Sequence, residues 1–326
     1  MNLSPLRDRF FEWIHALQSS GQPTGAYRIE PGSGPDLYGS CDAAISLAIM
    51  GVELDNTFTF NQRNEWAAFI NQFAQDDGTY EGGRHCREHR NGTVIGALGI
   101  LSGRQPRPVS FYSDYAGQAL IAPWMEALDW PNQWAASHLF WGGPLMFSFS
   151  AKCPESWKQE MLQWLNRGLD PDTGWWHRLH SETDCRQPIG GAAHIWPFYQ
   201  HHGFPFPYPE RVIDSILALQ KPDGTWLHFG NYLDLDALYG LRFMQSFVPN
   251  YRKDDVRSAV ERHAVRAEAE LEPRLAEKPE LHLLMGIIGS LGLLNQHLPE
   301  RFPDDRPWSD IFSDPRFYQT ARVEAV

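Results

Sequence analysis

Apolar residues recur along the chain at the spacing of helices. In the first such segment, Leu6, Phe10, Trp13, Ile14 and Leu17 follow one another at three- and four-residue steps, which indicates an amphipathic helix with one wet face. Other segments consist almost wholly of small and apolar residues and carry few charges: 41–50, 92–101, 136–149, 190–199, 235–247 and 281–294. The pattern therefore predicts amphipathic outer helices that alternate with buried inner helices, and the alternation typical of strands is absent.

A short turn recurs between the outer and inner helices. It combines acidic, Pro or Gly residues with a following aromatic residue, and its four clear copies are LQSSGQPTGAYR, AQDDGTYEGG, LDPDTGWWHR and LQKPDGTWLHF. Weaker copies at ALDWPNQW and LAEKPELH complete six units of about fifty residues, a period typical of repeat architectures. The inner helices are predicted to begin near Asp36, His89, Ala136, Pro188, Asp234 and Glu280.

Six such hairpins predict an all-α protein, an α/α toroid in which an inner ring of helices surrounds a central cavity. We expect a single domain over residues 1–326, with residues 300–326 as a C-terminal tail that packs on the ring. The Gly in each turn supplies the positive φ that ends a helix.

The turns QKPDGTW and QDDGTY resemble the repeats of the terpenoid cyclase and protein prenyltransferase superfamily. This resemblance implies the toroid and an enzyme that performs acid–base chemistry on an isoprenoid or another apolar substrate. The turn DPDTGWWHR is also similar to one found in unsaturated-uronyl hydrolases with six hairpins, which implies a carbohydrate hydrolase, lyase or epimerase instead. A third interpretation is a non-catalytic binding scaffold, because one fold can carry many functions.

The segment DLDA at the start of the fifth inner helix is similar to the Asp-x-Asp-Asp signature of class II terpene cyclases. Asp234 and Asp236 match the first two acids, whereas Ala237 replaces the last. The resemblance implies that Asp236 is the proton donor, held neutral by an apolar pocket. The alternative is that these acids cap a helix N-terminus.

Composition and charge narrow the classes of partner. The 28 Lys and Arg against 40 Asp and Glu give a net charge of −12, which disfavours nucleic acid and anionic lipid. No apolar run approaches the about 20 residues of a membrane span, and the N-terminus lacks the pattern of a secretory signal. We therefore expect a cytoplasmic protein with a small-molecule substrate, and oligomeric state is left open. The four cysteines lack a CxxC pair, which favours free thiols.

Polar residues collect in the connectors that precede the inner helices. Seven of the 13 histidines lie there: His85, His89, His138, His177, His180, His228 and His282. We interpret this convergence as a site at one rim of the cavity, although solvated connectors would also be polar. The catalytic candidates are Asp236, Asp42, Asp234, His194, His85 and His89.

The other four candidates carry open alternatives as well. Asp42 lies four residues after Tyr38, so both would share one helical face, and it could either function in catalysis or cap a helix. His85 and His89 are four residues apart, a spacing at which two imidazoles can bind one metal from one helical face. His194, between Ala193 and Ile195, is either a catalyst or a core histidine.

A zinc ion at His85 and His89 would need a third ligand, which Cys185, Asp184 or His180 could supply from another hairpin. No cofactor is expected, and zinc is the one ion that the pattern leaves open. The substrate-binding candidates are Tyr38, Cys41, Trp141, Asp184, Cys185, His228 and Tyr239. Aromatic residues of this kind could line a cavity or pack helix against helix.

Overall fold

The secondary structure is helical throughout the part of the chain that the structure describes. The structure is a computed structural model, and it describes residues 1–176 and 186–319. Within these ranges there is no strand, and the extended pairing is confined to isolated bridges between single residues. The predicted all-α class is therefore confirmed, whereas the closed toroid stays a prediction.

Outer and inner helices alternate along the described chain. The outer helices are α1 (Ser4–Ala16), α4 (Phe60–Asn71), α6 (Ile121–Glu126), α9 (Glu155–Arg167), α12 (Pro209–Leu219) and α14 (Lys253–Ala276). The inner helices are α2 (Leu37–Ile49), α5 (Arg87–Ile100), α7 (Gln133–Phe140), α8 (Met146–Ser148), α10 (Gly191–Ala193), α11 (Trp196–His202), α13 (Tyr232–Phe247) and α15 (Leu281–His297). A short helix, α3 (Leu54–Thr57), joins the first two hairpins.

Two inner segments contain a π-helical turn. Trp141–Leu145 continues α7 into α8, and Arg186–Gly190 leads into α10. Each turn contains a proline, Pro144 or Pro188, whose missing N–H interrupts the normal helical ladder. Short 3₁₀ turns occupy Ser110–Asp114, Gln118–Leu120, Trp130–Asn132 and Pro315–Tyr318.

Burial separates the two kinds of helix as the sequence predicts. Every residue of α2 is buried, whereas α12 buries only one stripe that includes Val212, Ile213 and Ile216. The six predicted starts fall within three residues of the observed starts at 37, 87, 133, 186, 232 and 281. The predicted positions of the inner helices are therefore confirmed for the described residues.

The recurring turn closes on itself in three of the repeats. Isolated antiparallel bridges join Gln18 to Tyr27, Ala74 to Tyr80 and Leu169 to Trp176. Each bridge places a buried aromatic residue beneath the turn, which anchors the end of the outer helix to the core. In the sixth unit the left-handed position is taken by Lys278, with φ of 51°, so a non-glycine residue stands where the four clear copies of the turn use glycine.

In two of the repeats, an aspartate connects the turn to the next inner helix through hydrogen bonds. Asp36 Oδ2 accepts a hydrogen bond from the backbone N–H of Ile29 at 2.9 Å while Oδ1 caps α2 at Gly39. Asp234 Oδ1 accepts from the N–H groups of Trp226 and Leu227 at 2.8 and 3.0 Å. Both carboxylates thus satisfy backbone donors that would otherwise be unpaired.

The chain forms two compact units. Residues 1–110 and 271–326 make up the first unit, and residues 111–270 make up the second. In the first unit α2 packs against α15, α5 and α4, and the Pro315–Tyr318 turn of the C-terminal segment packs on α5. In the second unit α13 packs against α12, α10 and the Arg186–Gly190 turn, and the same turn and α10 pack on α7.

A search for membrane-spanning helices found none of sufficient length and hydropathy in the described residues.

Replacing Gly224 with alanine tests how far the fold depends on the repeated turn. Gly224 has φ of 89°, and a Cβ there would lie 2.6 Å from the Arg262 carbonyl oxygen. Gly21 has a similar φ of 74° but open space around it. We expect Gly224→Ala to lower the free energy of unfolding by about 2–4 kcal/mol, and Gly21→Ala by about 1 kcal/mol, in chemical denaturation. Equal losses would show that the close approach to Arg262 is unimportant.

Candidate functional site

The beginnings of three inner helices come together in the first unit. Tyr38 and Asp42 lie on α2, His85 and His89 lie at the start of α5, and His282 lies at the start of α15. We call these five residues the histidine cluster. Tyr38 and Asp42 both lie within α2 and both approach His282, so the prediction that they share one face of a helix is confirmed.

Asp42 forms the buried end of the histidine cluster. The residue is fully buried, and its Oδ2 atom lies 3.0 Å from Nδ1 of His282. Its other oxygen, Oδ1, accepts no hydrogen bond from the described residues. A buried carboxylate without a cationic partner would be costly, so His282 is needed to stabilise the carboxylate.

The pKa values of Asp42 and His282 are shifted in the same sense. Burial raises the pKa of Asp42, although His282 acts against that shift. Burial alone would lower the pKa of His282, but the charge and hydrogen bond of Asp42 outweigh it and raise the pKa. Both shifts mean that the pair holds a shared proton to a higher pH than the isolated groups would.

The two histidines at the centre of the cluster face each other. Nε2 of His85 lies 3.3 Å from Nε2 of His282, and the rings of His85 and His89 are 4.3 Å apart. The Tyr38 ring lies 5.8 Å from His85 and 5.6 Å from His282. Asp42, His282 and His85 therefore form a chain along which one proton can pass.

His85 does not lie on α5. The helix begins at Arg87, so His85 and His89 do not share a helical face as the four-residue spacing suggested. Their rings approach because the preceding Gly82–Gly83 loop brings His85 back over the first turn. Both glycines have φ near 90°, and a Cβ on Gly83 would lie 2.1 Å from the Tyr38 ring. Only glycine fits this close approach.

Ion pairs fix the same loop at its edge. Arg84 forms a bidentate pair with Glu280, which precedes His282 on the chain. Arg87 pairs with the neighbouring Glu88 at 2.6 Å. Arg90 donates a hydrogen bond to the carbonyl oxygen of Gly82 at 2.6 Å. These contacts fix the positions of His85 and His282 relative to each other.

The histidine cluster supplies two of the ligands that a zinc site would need. Two imidazole nitrogens 3.3 Å apart are close enough to ligate one ion, but zinc sites supply at least three protein ligands. Within the described part of the first unit, no third His, Cys or carboxylate ligand atom joins them within 4.8 Å. The suggested third ligands His180, Asp184 and Cys185 lie outside the described residues.

The thiols near the cluster are not activated. Cys41, beside Asp42, is fully buried, and burial raises its pKa well above the ordinary value. Burial also raises the pKa of Cys86. A nucleophilic cysteine requires a lowered pKa, so neither thiol has the properties of a nucleophile. Cys41, Cys86 and Cys153 are free, as expected from their spacing.

Asp234 and Asp236 occupy one buried region of the second unit. Asn231, and not Asp234, caps α13 by accepting from the N–H of Leu233 at 2.8 Å. Asp234 holds the turn at Trp226, and its Oδ2 lies 3.7 Å from Nδ1 of the buried His263. These contacts give Asp234 a structural role that neither sequence interpretation anticipated.

Asp236 has the properties of a neutral acid. It is almost fully buried, between the equally buried Leu235 and Ala237 of α13. Burial, and next the neighbouring Asp234, raise its pKa well above the ordinary value. The prediction of a protonated acid therefore agrees with the environment of this residue, although its catalytic role stays a prediction.

His194 is held by backbone and hydroxyl groups of the second unit. Its Nδ1 atom lies 2.9 Å from the Ser137 hydroxyl and 3.1 Å from the Gly190 carbonyl oxygen. Ser137 already donates to the Trp134 carbonyl oxygen at 2.7 Å, so Nδ1 of His194 must be the donor to both. The ring stands 4.9 Å from His138 and 6.1 Å from Trp141.

The other candidate binding residues of the second unit make local contacts. The Tyr239 hydroxyl donates to Oε1 of Gln200 at 2.6 Å, and its ring stacks on Phe243. Nδ1 of His228 lies 3.3 Å from the Phe229 carbonyl oxygen. The binding roles predicted for Tyr239 and His228 stay predictions. Asp184 and Cys185 lie outside the described residues.

His282 is the residue that the sequence analysis did not select as a site residue. It was grouped with the connector histidines but was not among the catalytic candidates. The sequence does contain a signal for this pair, a single ionisable residue in each of two apolar segments. His282 is the one residue able to carry a positive charge in the apolar start of α15, and Asp42 is the one acid in α2. Two buried inner helices that carry residues of opposite charge near their starts are candidates for a pair.

No protein-family model, no curated protein and no solved structure matches this chain.

Replacing Asp42 with asparagine tests the pair directly. The substitution keeps the size of the side chain but removes the charge that raises the pKa of His282, so that pKa should fall. The measurement is an NMR titration of the His282 ring. Asp8→Asn, on the exposed face of α1, is the matched control and should leave the titration unchanged. An unaltered His282 pKa in Asp42→Asn would contradict the pairing.

The same variant has a defined effect on stability. A raised pKa means that the folded chain binds the proton more tightly than the unfolded chain. The contribution of His282 is therefore complete below a pH of about 6.5 and is lost as the pH rises through its raised pKa. Asp42→Asn should flatten this decline in the free energy of unfolding.

Proposed function

We propose that the protein is an enzyme of the proton-transfer type, a lyase, isomerase or hydrolase, and that the histidine cluster is its acid–base site. The observation that carries the proposal is the chain from Asp42 through His282 to His85, with atom separations of 3.0 and 3.3 Å. A buried carboxylate that orients one imidazole, which in turn contacts a second, is an arrangement suited to general acid–base catalysis.

The proton can pass along the chain as follows. Once the pair has released its shared proton, Asp42 accepts the Nδ1–H of the neutral His282 ring, so Nε2 of His282 carries the lone pair that faces Nε2–H of His85. When Nδ1 of His85 takes a proton from the substrate, the proton on its Nε2 moves to Nε2 of His282. The imidazolium that forms at His282 is stabilised by the carboxylate of Asp42. Return of the proton in the reverse direction supplies the general acid.

The polar character of the cluster favours a hydroxylated substrate. His89, Tyr38, Arg84 and Arg90 lie in or next to the segments that carry the proton chain, and a sugar can form hydrogen bonds with groups of this kind. An isoprenoid would instead need walls of aromatic and aliphatic side chains. We therefore place the carbohydrate-type enzyme before the isoprenoid enzyme that the terpenoid cyclase resemblance suggests.

Substitutions of His85 and His282 test the proposed chemistry. Turnover is first sought by screening the purified protein with sugar oligomers, uronic oligomers and prenyl diphosphates. We expect His85→Gln and His282→Gln to reduce turnover by about 10²-fold or more with the fold retained. His15→Gln, on the exposed side of α1, should retain full activity.

Two outcomes would contradict the proposal. Unchanged turnover in both variants would remove the cluster from the chemistry, and a protein that binds but converts none of the three substrate classes would favour a scaffold. Loss of wild-type turnover after treatment with a chelator would show that the chemistry depends on a metal ion rather than on the proton chain alone.

A second candidate function rests on Asp236. A neutral carboxylic acid in an apolar environment can protonate an alkene or an epoxide, as the terpenoid cyclase resemblance implies. The burial of Asp236 and its raised pKa support this alternative. The two candidates differ in the acid that they require, so one substitution separates them.

Asp236→Asn is that substitution. If Asp236 is the proton donor, turnover of a prenyl substrate should fall by about 10²-fold or more. If it is structural, turnover should stay near the wild-type value. The pH dependence of stability provides an independent measurement. Because the pKa of Asp236 is raised, the wild-type free energy of unfolding should fall as the pH rises above about 4. The slope is at most about 1.4 kcal/mol per pH unit. The variant should lack this slope.

A further inference from the structure

The segment from Arg84 to Arg90 is rich in cations within an acidic protein. Arg84 is paired with Glu280, and Arg87 is paired with Glu88. His282 matches the charge of Asp42. For Arg90, by contrast, no carboxylate of the described residues lies within ion-pair distance, and its hydrogen bond goes to the Gly82 carbonyl oxygen. The positive charge of Arg90 is therefore not balanced by a carboxylate of the described residues, and we call its guanidinium uncompensated.

The uncompensated guanidinium is held beside the histidine cluster. Its hydrogen bond to Gly82 fixes it to the loop whose next residue, Gly83, lies against the Tyr38 ring. Its Nε atom is buried and has no hydrogen-bond partner among the described residues. Arg90 is half-buried, so its charge is less screened than that of a surface arginine.

Tyr38 supplies a second and independent observation. The residue is 2% exposed, and its hydroxyl makes no hydrogen bond within the described part of the chain. Burial raises the pKa of Tyr38, so the hydroxyl stays protonated and is a donor. Buried polar groups almost always have a partner, and the ring of Tyr38 contacts both His85 and His282. Tyr38 thus contacts the proton chain, and Arg90 lies near enough for its charge to act on the pKa of the Tyr38 hydroxyl.

We propose that the substrate of the histidine cluster carries an oxyanion, a carboxylate or a phosphate, which Arg90 binds and to which Tyr38 donates a hydrogen bond. This inference rests on the proposed function, because it assigns a substrate class to the same site. Arginine recognises both groups through paired N–H donors. Binding the oxyanion at Arg90 orients the substrate so that the reacting proton faces His85.

Anion binding by the full chain tests the proposal without a known substrate. The probes are inorganic phosphate and acetate, titrated at constant ionic strength against sodium chloride, and the readout is the NMR signal of the Arg90 Nε–H group. We expect a saturable shift with at least one probe. The probe that binds more tightly distinguishes a phosphate-bearing substrate from a carboxylate-bearing one.

Variants separate this site from surface binding. Arg90→Gln should weaken binding of the preferred probe by at least about tenfold, and Arg90→Lys should restore part of the loss because it keeps the charge. Tyr38→Phe should weaken binding by a smaller factor. Arg107→Gln, which removes an exposed partner of Asp76 in the same unit, is the control and should bind as the wild type does.

Two results would overturn the inference. One is the absence of a saturable shift with both probes, and the other is equal binding by the wild type and Arg90→Gln. His85→Gln should still bind the anion, since His85 moves the proton and does not hold the oxyanion. Anion binding without any His85-dependent turnover would therefore count against the proposed function alone, and the two proposals can fail separately.

Discussion

A carboxylate with no access to water lies among the inner helices of the first unit, and its charge has to be matched. Asp42 can occupy α2 because His282 on α15 is 3.0 Å away. The contact between Asp42 and His282 constrains the neighbouring segments. The first turn of α15 must place His282 beside Asp42, and the loop before α5 must place His85 beside His282. The Arg84–Glu280 pair and the Gly82–Gly83 loop maintain this alignment. The geometry of the cluster depends on this one pair.

The hairpins could be predicted from sequence because their signals are local. Each of the four clear turns combines a positive-φ glycine with an aromatic anchor within about ten residues, and each inner helix is apolar on most sides. The sixth turn was harder to recognise because Lys278 adopts the left-handed conformation that glycine adopts elsewhere. Here the surrounding structure outweighs the local preference.

The candidate site was predictable only in part, because its signals are long-range. Asp42, His85 and His89 were selected for their unusual positions, and the structure brings them together. His282 was not selected, since nothing in the sequence says which of many histidines lies 240 residues away from a partner. Capping is one of the two alternatives that the sequence leaves open for Asp234, but Asn231 caps α13 and Asp234 accepts from the preceding turn.

The order of synthesis gives the Asp42–His282 pair a further consequence. Asp42 emerges from the ribosome long before His282, and at roughly 5–20 residues per second the 240 residues between them take on the order of 10 to 50 seconds. During that interval α2 cannot become buried without leaving its carboxylate unmatched. The N-terminal hairpins of the first unit are therefore kept from packing completely until the C-terminal helix arrives.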